Sequence, residues 1–194
     1  SGNQTTATTF AFRGSGQQDS YGRFDLKLDG PLARPQIALL LDSPLPAVGL
    51  SAVRLQLAPA ANGFSYTASG GSTLGPFTSE GAIVTIAGQD TAVRVDRLLV
   101  SDTLASGTIT PTRQGLAGTL AVSGGGVTGN VLFRPGSNRQ LIRADLKAEN
   151  ARFDGNPQIF IRTAMLDADI VLIDGRSNID VTLRAQGISR GELM

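Results

Sequence analysis

The sequence predicts an all-β fold built as an antiparallel meander, and three observations support this prediction. Apolar and polar residues alternate at residues 24–29, 53–57 and 179–184, which is the period of a strand with one apolar face. Glycine-rich turns separate these and similar short runs along most of the chain. The connections are too short for the crossovers that parallel strands require, so we expect consecutive strands to pair antiparallel.

The strands of the first half follow from this alternation in chain order. A polar lead-in covers residues 1–20, with a short alternation around Phe10 and Phe12. The pair Asn62-Gly63 predicts a hairpin, and the glycines at residues 70–71 predict a turn after the next strand. We expect strands at residues 8–13, 22–29, 36–41, 50–58 and 64–69.

The second half repeats the pattern with more glycine. The glycine triplet at residues 124–126 predicts a turn, whereas Gly107, Gly118 and Gly129 fall within apolar runs, where glycine permits a bulge or a bend. We therefore expect a strongly curved sheet. Residues 140–150 also leave a helix as an alternative. The strands expected here are residues 83–87, 92–100, 105–110, 116–122, 127–134, 141–148, 158–163, 169–174 and 179–185.

The length and the charge of the chain limit how many domains it can form and which partners it can bind. A chain of 194 residues is long enough for one all-β domain, so residues 1–194 are interpreted as a single β-rich segment. Because it starts with Ser1 and shows no signal peptide, we expect it to be part of a larger protein. The 17 basic and 16 acidic residues are interspersed, which argues against nucleic acid as a partner. The longest apolar run, residues 37–41, is too short to cross a bilayer.

The composition offers few of the side chains that enzymes use for catalysis. The chain has no histidine and no cysteine, which excludes a Ser-His-Asp triad and metal sites built on those residues. Lys27 and Lys147 alternate with aspartates on strands and are interpreted as solvated. The acidic residues lack the spacing of a calcium loop, and nothing pairs them as the carboxylates of a glycan-cleaving enzyme. Turn and strand-face roles are favoured for Asp167, Asp169, Asp174 and Asp180. We expect no enzyme activity, no cofactor and no metal.

An antiparallel meander with one apolar face has three ways to use that face. Two sheets can pack as a sandwich, one sheet can close into a barrel, or the face can line a groove. The aliphatic residues of the apolar face suit either a closed core or the binding of acyl chains. A transmembrane barrel would show aromatic girdles, which this sequence lacks. A β-sandwich or adhesin-like surface or scaffolding domain therefore stays open beside the groove.

The chain resembles the TamB-type envelope proteins of the AsmA-like group. Residues 29–37 carry a G-x-L-x-x-P entry into a strand, and residues 93–100 carry the pattern V-x-V-x-x-L-x-V. The runs at residues 50–57 and 81–88 are similar in style, and the resemblance extends over about residues 20–187. It implies a sheet curved lengthwise into a U-shaped β-taco trough with an apolar interior.

The resemblance also implies a location and a role. Members of this group are periplasmic, are anchored in the inner membrane by a helix, and are associated with phospholipid passage between the inner and outer membranes. The group implies an outer-membrane barrel protein as a partner, bound through regions outside this chain, and it carries over no catalytic residue. The expected ligands are phospholipid acyl chains. The candidate groove residues are Phe24, Leu26, Leu28, Val53, Leu55, Leu57, Phe64, Tyr66, Val93, Val95, Leu120, Val122, Val131, Phe133, Ile179, Val181 and Leu183.

Overall fold

The computed structural model consists of β-strands joined by turns. It describes residues 9–18, 22–43, 50–85, 91–137, 139–154, 157–173 and 176–191. The strands are β1 (Thr9–Gln18), β2 (Gly22–Pro31), β3 (Gln36–Leu41), β4 (Ser51–Ala60), β5 (Gly63–Ser72), β6 (Gly75–Val84), β7 (Ala92–Val100), β8 (Thr103–Thr112), β9 (Gly115–Ser123), β10 (Val127–Gly136), β11 (Arg139–Phe153), β12 (Gln158–Ile173) and β13 (Arg176–Gly191).

All the strands belong to one sheet, and their order in the sheet is their order in the chain. Every neighbouring pair is antiparallel, as short connections require. In the described part of the chain β1 and β13 each have one partner, so the 13-stranded sheet is open and not closed into a barrel. This confirms the predicted antiparallel meander, and an open sheet of this kind is compatible with a curved trough. Two separate sheets of a sandwich are not what these strands form.

The sequence prediction placed the end of β5 and the start of β6 at the wrong residues. Gly70 and Gly71 do not turn but continue β5 as far as Ser72, and β6 begins at Gly75. The apolar alternation of β6 is hidden because the side chains on its apolar side include Ser79 and Gly81, which carry little or no apolar signal. Of the predicted strand at residues 83–87, residues 86–87 lie outside the described residues.

The longest strands also differ from the prediction. Residues 140–150 lie in β11 and are not helical, and the runs predicted separately at residues 158–163 and 169–174 are parts of β12. Asn150 has a φ of 51° and has no ladder partner, although the register is the same on both sides of it: Glu149 pairs with Thr163 and Ala151 with Ile161. The burial alternation shifts by one position here, because Ala148 and Ala151 are both buried and the two residues between them are exposed. Residue 174 lies outside the described residues.

The two faces of the sheet differ in chemistry. Leu26, Leu39 and Leu55 are paired across β2, β3 and β4 and lie on one side, which we call the apolar face. Lys27 and Gln56 lie on the other side, which we call the charged face. Only small clusters are buried, chiefly Val127 with three alanines of β11 and β12. No large side chain of the described residues is fully buried, so the sheet is a single layer.

Candidate functional site

The apolar face is continuous across the whole sheet. Residues that pair directly in neighbouring strands lie on the same face, so the register defines rows of side chains that run across the strands. We call the row that contains Leu57 and Tyr66 the central row. From β1 to β13 it contains Phe12, Leu28, Ile37, Leu57, Tyr66, Gly81, Val95, Gly107, Leu120, Val131, Ala144, Ala168 and Val181.

Two further rows flank the central row on the same face. Neither contains a charged residue. The second row contains Gly14, Leu26, Leu39, Leu55, Ala68, Ser79, Leu98, Ala105, Val122, Gly129, Leu146, Leu166 and Leu183. The third row begins in β5 and contains Phe64, Ile83, Val93, Ile109, Gly118, Phe133, Ile142 and Ile170.

The register brings the predicted groove residues together in these rows. Phe24 and Val53 both pair with Leu41 and extend the same face at one edge of the rows. The main chain of Ile179 pairs with that of Ile170 at the end of the third row. The prediction omitted several members of the face, among them Ile37, Leu39, Leu98, Ile109, Leu146 and Leu166.

A bulge in β7 explains why Leu98 belongs to this face. Val95 pairs with Gly81 and Gly107; the ladder then resumes at Arg97 with Glu80 of β6 and at Leu98 with Ala105 of β8, and Leu98 also pairs with Ser79. The two residues between Val95 and Leu98 both lie exposed on the charged face. The three-residue spacing in the pattern V-x-V-x-x-L-x-V is therefore a bulge that keeps every apolar residue of the strand on one side.

Exposure along the central row changes from the edges to the middle. Phe12 in β1 and Val181 in β13 are each 50% exposed, whereas Tyr66 is 9% and Val95 and Leu120 are 8% exposed. Leu183, next to Val181 on β13, is also exposed. The middle of the apolar face is thus shielded by its own neighbours, while both edges present large apolar side chains to solvent.

Aromatic rings on this face lie over glycines of neighbouring strands. A β-carbon added at Gly16 would lie 2.7 Å from the ring of Phe24, and one added at Gly81 would lie 2.9 Å from the ring of Tyr66. The hydroxyl of Tyr66 is 3.2 Å from the hydroxyl of Ser79, so its polar end has a partner within the face. The rings cover main chain that glycine would otherwise leave open, as aromatic residues do for glycines in other sheets.

The mid-strand glycines allow close approach of the main chains. A side chain at Gly107 or Gly118 would overlap with a carbonyl oxygen of the neighbouring strand, and both residues have a positive φ, of 154° and 142°. Such values are rare for residues with a side chain. Gly129 in the next strand has the same geometry. The glycines singled out in the sequence therefore occupy positions that no other residue fits.

At one end of the sheet, turns that are distant in the strand order meet. The Ser101 hydroxyl, between β7 and β8, donates a hydrogen bond to the carbonyl of Leu74 at 3.0 Å and accepts one from the main-chain amide of Asp154 at 3.1 Å. A β-carbon added at Gly75 would lie 3.3 Å from the carbonyl oxygen of Asp154. Gly75 begins β6 and Asp154 follows β11, which a flat sheet would separate by about 24 Å at about 4.8 Å per strand. The sheet is therefore bent strongly between these strands.

The side chain of Gln140 completes the ladder at the other end. Direct pairing of β9 with β10 stops at Gly118 and Phe133. Beyond that point the Gln140 amide oxygen accepts a hydrogen bond from the amide of Leu116 at 2.5 Å, and its nitrogen donates to the carbonyl of Leu116 at 3.0 Å. The same nitrogen is within hydrogen-bond distance of the carbonyls of Arg134 and Leu141. One side-chain amide thus acts as a peptide group between β9 and β11.

The charged face carries ion pairs between residues two apart on one strand. Lys27 pairs with Asp29 at 2.5 Å and Arg152 with Asp154 at 2.9 Å, and the same arrangement recurs at Arg94 with Asp96 and at Arg143 with Asp145. Residues two apart lie on the same face, so each pair neutralises itself within its strand. Hydrogen bonds from Gln158 and Arg152 lower the pKa of Asp154.

In the described ranges no group of acidic side chains is arranged to hold a metal ion, and no helix long and apolar enough to cross a membrane occurs. Asp167 and Asp169 lie on the charged face of β12, next to Asp145 and Arg143. Position 174, also singled out in the sequence, lies outside the described residues. What the apolar face offers a ligand is contact with aliphatic and aromatic groups.

Comparison of the chain with protein-family models, with curated proteins and with solved structures gives no match.

Proposed function

We propose that the apolar face binds phospholipid acyl chains, and that this chain is a non-enzymatic segment of a periplasmic protein along which phospholipid passes between the inner and outer membranes. The observation that supports this most is the set of three uncharged rows on the open sheet, two across all its strands and one from β5 to β12, over which the described residues place no second layer. The resemblance to TamB-type proteins is the source of the proposed location, of the inner-membrane anchor outside this chain, and of an outer-membrane barrel protein as partner.

The dimensions of the apolar face suit a path for lipid. Twelve strand spacings of about 4.8 Å give the central row a length of about 58 Å along the sheet, and three rows about 7 Å apart give a width of about 14 Å. Burial of an acyl chain contributes about 0.8 kcal/mol for each methylene group. Because this contribution is not directional, a chain can shift along the rows without breaking specific bonds, which favours movement and gives little selectivity.

The bend near Ser101 supports an apolar interior. Gly75 stands two positions before Phe77 in β6, and residues two apart in a strand share a face. Phe77 is paired with Gly70 and Val100 on the apolar face. A side chain at Gly75 would meet Asp154 across the bend, and this direction agrees with the apolar face lying on the inner side.

The proposal is tested by lipid binding to two variants of adjacent residues. Leu57 lies in the central row, whereas Ala58 is exposed on the charged face. We expect Leu57→Asp to lose most bound phospholipid and Ala58→Asp to keep it. Both substitutions add one negative charge. The measurement is native mass spectrometry after incubation with phospholipid vesicles, and circular dichroism checks that both variants retain the sheet.

A second variant tests the apolar face at a position where substitution should not disturb folding. Leu183 is exposed at the edge of the sheet, so Leu183→Asp should fold normally and still weaken lipid binding at β13. Thr182→Asp is its matched control on the charged face. Equal lipid binding by Leu57→Asp, Leu183→Asp and the unsubstituted chain would exclude the apolar face as the binding surface. A chain that binds no lipid at all would favour a surface or scaffolding role.

A further inference from the structure

A cavity on the charged face has a composition unlike the rest of that face. It has a volume of about 470 Å³ and lies over the first four strands, on the side of the sheet opposite the apolar rows. Its chemically distinctive lining residues are Arg13, Asp25, Lys27, Ala38, Leu40 and Arg54.

The floor of this cavity is apolar because β3 carries apolar side chains on both faces. In β3, Ile37 and Leu39 lie on the apolar face, and Ala38 and Leu40 lie on the charged face. Leu40 is half-buried between β2 and β4, which place charged residues on either side of it. The apolar run at residues 37–41 therefore supplies apolar side chains to both faces of the sheet.

The rim of the cavity is predominantly cationic. Arg13 is paired directly opposite Lys27, and Arg54 is paired opposite Leu40. Lys27 forms an ion pair with Asp29 on its own strand, but within the described ranges no ion pair involves Arg13 or Arg54. Guanidinium groups next to an aliphatic floor match a ligand that has an anionic oxygen-rich head and an alkyl body.

We propose that this cavity binds an anionic amphiphile, with its phosphate or carboxylate head on Arg54 and its alkyl chain over Leu40 and Ala38. The site is separate from the apolar face and does not depend on the proposed lipid path. Arginine binds such heads through two parallel hydrogen bonds, and Arg13 at the other end of the cavity adds a positive charge at longer range.

The experiment is isothermal titration calorimetry of the whole chain with decyl phosphate below its critical micelle concentration. We expect decyl phosphate to bind at least about tenfold more tightly than 1-decanol, which lacks the charge, and than inorganic phosphate, which lacks the chain. Tight binding of inorganic phosphate alone would show an anion site that does not use the apolar floor. Equal affinity for decyl phosphate and 1-decanol would overturn the proposal.

Substitutions of the lining residues test whether decyl phosphate binds in this cavity. Arg54→Gln should weaken decyl phosphate binding about tenfold, because it removes the charge-assisted contact, and Arg13→Gln should weaken it less, because Arg13 lies three strands away. Arg184→Gln is the matched control, since it removes the same charge from the same face at β13. Leu40→Ser should also weaken binding. If Arg54→Gln changes affinity no more than Arg184→Gln does, the head group is not held here.

One further variant separates this site from the apolar face. The decyl chain can also settle on the apolar rows, so each titration is repeated in Leu57→Asp. We expect that variant to lose phospholipid but keep the arginine-dependent binding of decyl phosphate. Loss of decyl phosphate in Leu57→Asp with retention in Arg54→Gln would place all binding on the apolar face and overturn the cavity proposal alone.

Discussion

The main-chain amide of Asp154 donates a hydrogen bond to the hydroxyl of Ser101, 53 positions earlier in the chain. Because the same hydroxyl donates to the carbonyl of Leu74, one serine joins two neighbouring turns to the end of β11, which a flat sheet would keep far away. The curvature at this end is therefore held by polar contacts between turns, in addition to the twist that any sheet has.

Ser101→Ala removes both of these hydrogen bonds. Each is partly exposed and contributes about 1 kcal/mol at most, so the expected loss of unfolding free energy is about 1–2 kcal/mol. Urea denaturation followed by circular dichroism measures it. Ser123→Ala, at an exposed position of β9, is the control and should change stability by less than about 0.5 kcal/mol. A loss for Ser101→Ala no larger than the control would mean that the bend does not depend on this hydroxyl.

Gln140 is expected to contribute more to stability, because its amide serves several main-chain groups at once. Gln140→Ala leaves the amide and the carbonyl of Leu116 without these partners and should cost about 1–3 kcal/mol. Gln140→Glu replaces the donor nitrogen by an oxygen that faces carbonyls. Its destabilisation should therefore be larger at neutral pH and smaller in acid, where protonation restores a donor. A pH-independent difference between Gln140→Glu and the unsubstituted chain would contradict this arrangement.

The lowered pKa of Asp154 predicts a pH dependence of stability. Hydrogen bonds from Gln158 and Arg152 favour its charged form in the folded chain. Its contribution to the free energy of unfolding is therefore fully present above the pKa of an unfolded aspartate. This contribution is lost as the pH falls through the lower pKa that Asp154 has in the folded chain. Urea titrations from pH 7 to pH 2 measure this loss. Asp154→Asn should reduce the loss of unfolding free energy below about pH 4. If the free energy of unfolding depends on pH in the same way with and without this substitution, these hydrogen bonds do not cause the pH dependence.

Asn150 is expected to respond to substitution according to its main-chain conformation. Its φ of 51° is accessible to glycine and asparagine but unfavourable for β-branched residues. Asn150→Gly should be close to neutral, and Asn150→Val should cost about 1–3 kcal/mol. Thermal unfolding of the two variants compares them directly. Equal stability of both would mean that residue 150 does not adopt a positive φ in solution.

The sequence predicted the strands best where polar residues bound an apolar run on both sides. The predicted strands at residues 36–41 and 92–100 coincide with β3 and β7. Alternation failed where Ser79 and Gly81 take apolar-face positions and where the burial pattern of β11 shifts by one position at Asn150. The contact of Ser101 with Asp154 joins turns far apart in the chain, so no local pattern could have indicated it. The cavity over Leu40 was also missed, because a two-sided apolar run looks like a buried strand.

The order of strands in the sheet has a consequence for how the chain folds. Each strand pairs only with the strands before and after it, so nearly all pairing is local in sequence. Local contacts require little loop-closure entropy before they form, which favours rapid growth of the sheet from any hairpin. An array of neighbouring units is also expected to unfold from its ends, with cooperativity that weakens over distance. The bridge from Ser101 to Asp154 departs from this rule, because it couples the end of β11 to the turns beside β6 and β7.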